Sequence, residues 1–101
     1  MKLLIILAIK EYQEELRQLL NHSGVSIYSE VDLRGYKSDL GSADPMNWFA
    51  AQADPDTSLM ILAFMQQEES EKIIGKLKEF NQKHEGIRPS HAFQIPVEKF
   101  I

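Results

Sequence analysis

Residues 25–64 read VSIYSEVDLRGYKSDLGSADPMNWFAAQADPDTSLMILAF and decide the fold. An alternating stretch (25–35) leads into a polar loop (36–56) with two Asp-Pro pairs and one Trp, and an apolar run (57–64) follows. The two outer parts predict strands. The loop between them, about twenty residues, is much longer than the ~2–5 residues of a hairpin loop. We therefore expect any function to lie in this loop or beside it.

The chain length predicts one small domain, residues 1–101, because a chain of 101 residues is too short for two separate cores. The chain has 44% hydrophobic and 26% charged residues and no cysteine, which excludes disulfides and thiolate metal sites. The net charge of −4 argues against nucleic acid as the main partner, since such binding depends on a clustered basic surface. The cytoplasm is the expected location.

The run LLIILAI at residues 3–9 predicts a strand covered on both faces. A signal peptide is the alternative, but Lys10 and Glu11 follow at once and no small-residue cleavage site comes after them. No run approaches the ~18–20 apolar residues of a transmembrane helix, so we expect no direct membrane insertion.

Two stretches with apolar residues at helical spacing predict two amphipathic helices. The first ends at Gly24, and the second begins at about Glu68 and ends at Gly86, because glycine commonly follows a helix end. The last strand, residues 91–97, is predicted at a sheet edge, since Pro96 cannot donate to a ladder. The predicted buried stripes are Tyr12, Leu16, Leu19 and Leu20, then Ile73, Ile74, Leu77 and Phe80.

This order of elements predicts an α+β, ferredoxin-like βαββαβ fold, in which a four-stranded antiparallel sheet carries two helices on one face. Residues 3–9 and 59–64 are its central strands, and both are apolar without interruption. A sheet with one bare face should instead alternate with polar residues. We therefore predict that identical subunits cover the open face; the alternative is a flat apolar patch on a monomer.

Three short motifs in these elements resemble the PII-like signalling family. They are Gly24-Val25 at the start of the second strand, EVDLRGY at residues 30–36, and AFQIPVE at residues 92–98. The resemblance implies a homotrimer whose sheets face inward. It also implies a regulatory protein, not an enzyme, with residues 36–56 as a T-loop-like insertion and ligands in clefts between subunits.

Carried over residue by residue, the resemblance assigns Arg34, Gly35 and Lys37 to the ligand cleft, faced by Gly86 and Arg88 of the neighbouring subunit. Glycine permits close backbone approach, and the cations suit an anion. The alternative for the three cations is solvated surface charge.

The sequence does not identify the ligand, because the family's ATP motifs are largely missing. The glycine-rich loop is reduced to EGIRPS at residues 85–90, and the sequence stops at Ile101, before the family's paired arginines. An adenine nucleotide is one candidate. The resemblance is nearest to shortened PII-like proteins, some of which accompany metal efflux systems.

Met46, Trp48 and Phe49 give the loop an apolar tip suited to a protein target, possible targets including a membrane transporter. The alternative is that Trp48 folds back and anchors the loop on its own subunit.

Two other functions are weighed against this one. A CutA-like or efflux-associated copper or zinc module would use its histidines and the loop aspartates, yet no two histidines have ligand spacing. Positions near helix ends account for His22 and His84 without a metal. An ACT-like amino-acid-binding domain is the second alternative. Catalysis has no support from a nucleophile elbow or paired carboxylates. The side chains considered for a metal are His22, His84, His91, Asp39, Asp44, Asp54 and Asp56.

Overall fold

The two all-apolar segments form the centre of one antiparallel sheet. The computed structural model describes residues 1–35, 58–85 and 88–101. A short 3-10 helix, Lys10–Tyr12, links the first strand to the first helix. The elements are β1 (Lys2–Ile9), α1 (Gln13–His22), β2 (Ser29–Leu33), β3 (Ser58–Met65), α2 (Gln67–Lys83) and β4 (His91–Pro96).

The strand order is β2-β3-β1-β4, and every neighbouring pair is antiparallel. The register pairs Ile5 of β1 with Leu62 of β3 and with Phe93 of β4. The predicted ferredoxin-like α+β fold is confirmed, with β1 and β3 in the centre. The edge position of β4, predicted from Pro96, is confirmed as well.

One face of the sheet and the two helices share a single core. Even-numbered residues of β1 and odd-numbered residues of β3 point to this face, since side chains alternate along a strand. Their buried side chains form one cluster with those of α1 and α2. Its members from the central strands and the helices include Leu4, Ile6, Ala8, Leu59, Ile61, Ala63, Leu16, Leu20, Ile73, Leu77 and Phe80.

The opposite face, which we call the open face, is apolar and has no described element packed over it. Its most exposed members are Phe64 (62%), Val31 (41%) and Ile95 (41%). The two-sided apolar character of the central strands is therefore present in the fold, as expected from the sequence. The open face also carries the apolar residues Leu3, Ile5, Leu7, Leu33, Met60, Leu62 and Phe93.

The chain after α1 differs from the prediction, which began the second strand at residue 25. Gly24 has φ +86° and ends the helix. The Gly24 N–H donates to the Asn21 carbonyl at 3.1 Å, and the Val25 N–H donates to the Leu20 carbonyl at 2.9 Å. These are the two bonds of a Schellman motif. Val25 therefore closes the helix end, and β2 begins only at Ser29.

The side of β2 that faces α1 is held by charged groups. Arg17 donates two hydrogen bonds to Glu30, Nε to Oε2 and Nη2 to Oε1, both at 2.7 Å. Gln13 adds a bond to Glu30 at 2.9 Å, and Lys10 pairs with Asp32. The bidentate arrangement is the strong form of this pair. It fixes the edge strand that leads into Arg34.

Glu30→Gln is expected to lower the melting temperature near neutral pH, with a smaller loss in acid. The hydrogen bonds from Arg17 hold the pKa of Glu30 below its ordinary value of 4.5. A lowered carboxyl pKa stabilises the fold above the ordinary value, and this contribution is lost as pH falls through the lowered pKa. Thermal unfolding from neutral pH to below pH 4.5 measures the difference. Glu85→Gln, at an exposed site outside the network, is the control; an equal pH profile for both variants contradicts the prediction.

Candidate functional site

Both predicted arginines lie at one end of the sheet. Ser58, the first residue of β3, pairs with Ile9 at the end of β1 and with Leu33 at the end of β2. His91, the first residue of β4, pairs with Leu7. Arg34 and Gly35 leave β2 at this end, and Arg88 approaches β4 at the same end.

Arg34 and Arg88 are nevertheless on opposite edges. The order β2-β3-β1-β4 puts three strand spacings between them, about 14 Å at ~4.8 Å each. Arg34 is exposed, whereas Gly35 beside it is buried. Within one chain the two predicted site residues are therefore apart, one near each edge of the sheet.

Arg88 lies in a partly buried position near a carboxylate. Burial lowers the pKa of its guanidinium, and the charge of Glu11 in the 3-10 helix partly offsets this effect. A buried cation is stabilised by negative charge placed close to it. Burial and the charge of Glu11 therefore act in opposite directions on the guanidinium of Arg88.

Lys37 and Gly86 lie outside the described residues, as do Met46, Trp48 and Phe49 of the predicted docking loop. Their predicted roles stay predictions. The loop aspartates considered for a metal lie outside the described residues as well.

The three histidines occupy separate positions. His84 donates from Nδ1 to the Phe80 carbonyl at 2.8 Å, stacks on the Phe80 ring, and places Nε2 3.3 Å from Glu15 Oε2. His22 lines a groove of about 260 Å³ between α1 and α2. His91 is on the open face of β4, where burial lowers the pKa of its imidazole. Within the described ranges no three His, Asp or Glu side chains are grouped for a metal.

Sequence reasoning missed the contacts that position the Arg34 edge. Glu30 and Asp32 occupy alternate positions of β2, and this spacing is a signal that both lie on one face of the sheet. Sequence reasoning also missed the exposure of Ile27, which was predicted within a strand and is 85% exposed before it. The helix-closing bonds of Gly24 and Val25 decide this difference, because they keep the chain out of the strand until Ser29.

The sequence model described as "Nitrogen regulatory protein P-II" matches residues 1–101, the full length of the chain. The chain belongs to the P-II family. P-II proteins are regulatory and are typically homotrimers. The resemblance drawn from the three motifs is thus confirmed. No helix among the described residues of this P-II protein is long and apolar enough to cross a membrane.

Solved P-II-like structures share the fold. A PII-like signalling protein from Thermus thermophilus is 16% identical with a TM-score of 0.63, over 92% of this chain and 82% of its own. Apo CPII from Thiomonas intermedia is 24% identical with a TM-score of 0.55, over 93% of this chain and 89% of its own. CPII from the same organism, solved with ADP and bicarbonate, is 24% identical with a TM-score of 0.58, over 93% of this chain and 86% of its own. No curated protein sequence matches this P-II chain.

Proposed function

We propose that this P-II protein is a cytoplasmic, non-enzymatic signal-relay homotrimer that binds a small anionic ligand between subunits and engages a protein target through residues 36–56. The observation that carries the proposal is the open face of the sheet. An apolar face across four strands is costly to leave in water, since burying one large aliphatic side chain contributes roughly 1.5–3 kcal/mol. Three identical sheets facing one axis remove these surfaces from water together.

The same assembly explains the two separated arginines. When the open faces of three sheets point to one axis, the β2 edge of one subunit meets the β4 edge of the next. Arg34 and Gly35 of one subunit then face Arg88 of its neighbour at the same level. Lys37 and Gly86, next in sequence to these positions, would complete the cleft.

The first ligands to test follow from the chemistry of the cleft and from CPII. Two guanidinium groups favour phosphate or carboxylate oxygens. CPII from Thiomonas intermedia has been solved with ADP, AMP and bicarbonate. We therefore propose an adenine nucleotide, with or without bicarbonate, as the ligand class.

Arg34→Ala and Arg88→Ala are each expected to weaken ADP binding about tenfold or more, since losing a hydrogen bond to a charged group costs ~1.5–3 kcal/mol. Titration calorimetry with ADP, AMP and bicarbonate measures the effect, and Lys78→Ala, on the exposed side of α2, is the control. If the unmutated protein binds none of these three molecules, the ligand part of the proposal is wrong.

Mixed trimers decide whether the cleft lies between subunits. When the Arg34→Ala and Arg88→Ala chains are assembled together, some clefts pair the intact Arg34 of one chain with the intact Arg88 of the other. Recovery of a fraction of tight sites is expected. If the two arginines of one subunit formed the site, every site would lack one of them and no recovery would occur.

Residues 36–56 are proposed as the target-docking segment, with Met46, Trp48 and Phe49 at its contact surface. Trp48 is the only tryptophan, so its fluorescence reports on the loop alone. A blue shift upon addition of a target such as a transporter domain is expected. A spectrum that is already blue-shifted in the isolated protein would favour the alternative, in which Trp48 packs on its own subunit.

A further inference from the structure

The side-chain amide of Asn81 makes two hydrogen bonds to the main chain of Ser90. Its Nδ2 donates to the Ser90 carbonyl at 2.9 Å, and its Oδ1 accepts from the Ser90 N–H at 2.8 Å. An amide side chain can donate and accept together, so one residue satisfies both polar groups of the Ser90 main chain. Asn81 therefore joins the last turn of α2 to the chain just before β4.

The bonds from Asn81 take the place of a neighbouring strand at Ser90. Ser90 is 4% exposed, and the ladder between β4 and β1 begins only at the next residue, where His91 pairs with Leu7. Buried N–H and C=O groups need hydrogen-bond partners, because an unpaired one costs about as much as a lost hydrogen bond. The main chain at Ser90 is thus fixed by α2, which itself packs in the core through Leu77 and Phe80.

A stiff link connects Ser90 to the arginine of the candidate site. Arg88 is two residues before Ser90, and the residue between them is Pro89. The proline ring fixes the φ angle of residue 89, and its Cδ restricts the preceding residue to extended conformations. Because the segment 88–90 has little conformational freedom, fixing Ser90 also limits the positions that the main chain of Arg88 can take.

We propose that Asn81 is a positioning residue of the cleft, which holds Arg88 in place for an anionic ligand through Ser90 and Pro89. This inference rests on the proposed function, in which Arg88 contacts the ligand. Asn81 needs no contact with the ligand, since both ends of its amide bind Ser90. Restricting a binding group in advance raises affinity, because less conformational entropy is then lost on binding.

Asn81→Ala is expected to weaken ligand binding by about threefold to tenfold, less than Arg88→Ala, because the guanidinium stays and only its restriction is lost. Titration calorimetry measures this with whichever of ADP, AMP and bicarbonate binds the unmutated protein most tightly. Asn21→Ala, the same substitution at an exposed asparagine in the last turn of α1, is the control and keeps full affinity. An Asn81→Ala protein with unchanged affinity overturns the proposal.

A double-mutant cycle separates positioning of Arg88 from a general loss of structure. In the Arg34→Ala background, Asn81→Ala is expected to weaken binding as much as it does in the unmutated protein. In the Arg88→Ala background it is expected to have almost no further effect, since changes that act through one group are not additive. Equal losses in both backgrounds would mean that Asn81 only supports the fold, and they would overturn the proposal.

Hydrogen exchange of the Ser90 amide tests the first step of the route. Asn81→Ala is expected to speed this exchange strongly, while the Ile61 amide in the central strand β3 stays protected. Unchanged exchange at Ser90 overturns the proposal.

Pro89→Gly tests the second step at an exposed position, without touching the bonds of Asn81. Glycine adds backbone freedom between Ser90 and Arg88, so we expect weaker ligand binding with the Ser90 amide still protected. Full affinity of this variant overturns the route through Pro89. If Asn81→Ala loses the protection of Ile61 as well, that variant is unfolded and Pro89→Gly decides the test.

The outcomes separate this inference from the proposed function. If Arg88→Ala weakens binding while Asn81→Ala and Pro89→Gly do not, the positioning role is wrong and the proposed function stands. If the unmutated protein binds none of the three molecules, or Arg88→Ala binds as tightly as the unmutated protein, the proposed ligand site is wrong and this inference fails with it.

Discussion

Ile5→Lys is expected to leave the subunit folded and to abolish the proposed trimer. Ile5 is in the middle of the open face, paired with Leu62 on one side and Phe93 on the other. In a lone subunit the long lysine side chain reaches water along this face. In the trimer its charge would be buried without a partner, which costs several times the stabilisation from one aliphatic side chain.

Native mass spectrometry and sedimentation at micromolar concentration measure this change. The unmutated protein is expected at three times 11.6 kDa and the variant at 11.6 kDa, with unchanged far-ultraviolet circular dichroism. Gln82→Lys, on the exposed side of α2, adds the same charge away from the open face and is expected to remain trimeric. A trimeric Ile5→Lys variant would show that the open face is not the interface.

Ile61→Ala is expected to lower the free energy of unfolding of the subunit by about 2–5 kcal/mol, because it leaves a cavity in a packed core. Ile61 is 1% exposed and belongs to the core cluster under the helices. Leu62, one residue further along β3, points to the open face and is only half-buried. Leu62→Ala is therefore expected to cost the isolated subunit much less.

Urea unfolding in the monomeric Ile5→Lys background measures both variants, because subunit association would otherwise add to the apparent stability. Adjacent residues of similar size thus provide a matched comparison of the two faces. Equal losses for Ile61→Ala and Leu62→Ala would mean that the open face is packed within the subunit, contrary to the structure.

The local sequence was enough to predict the elements and their order. The spacing of Leu16 and Leu20 predicted the buried stripe of α1, and the uninterrupted apolar runs predicted that β1 and β3 are central. These predictions succeed because helix and strand periodicities arise from neighbouring residues. The ion pairs of Glu30 and Asp32 were not predicted, since their partners in α1 and the 3-10 helix come from the packing of one element on another.

For the candidate site, the sequence predicted which residues take part but not where they lie relative to each other. Its residues came from motifs around Arg34 and Arg88. Their placement at one end of the sheet but on opposite edges follows only from the strand order, which depends on pairings between residues far apart in sequence. Ile27 and Phe64 acquired their exposure through the helix end at Gly24 and the early end of the β2–β3 ladder, neither of which is visible in strand alternation.

The sequence by itself determined the α+β class, two central strands with apolar side chains on both sides, and the P-II resemblance, because each follows from composition, short-range spacing or a contiguous motif. Only the tertiary structure decided which half of those apolar side chains is covered by helices, where the two arginines lie, and that Phe64 remains exposed. Strand order and register together set all three, and both are properties of strands brought together from distant parts of the chain.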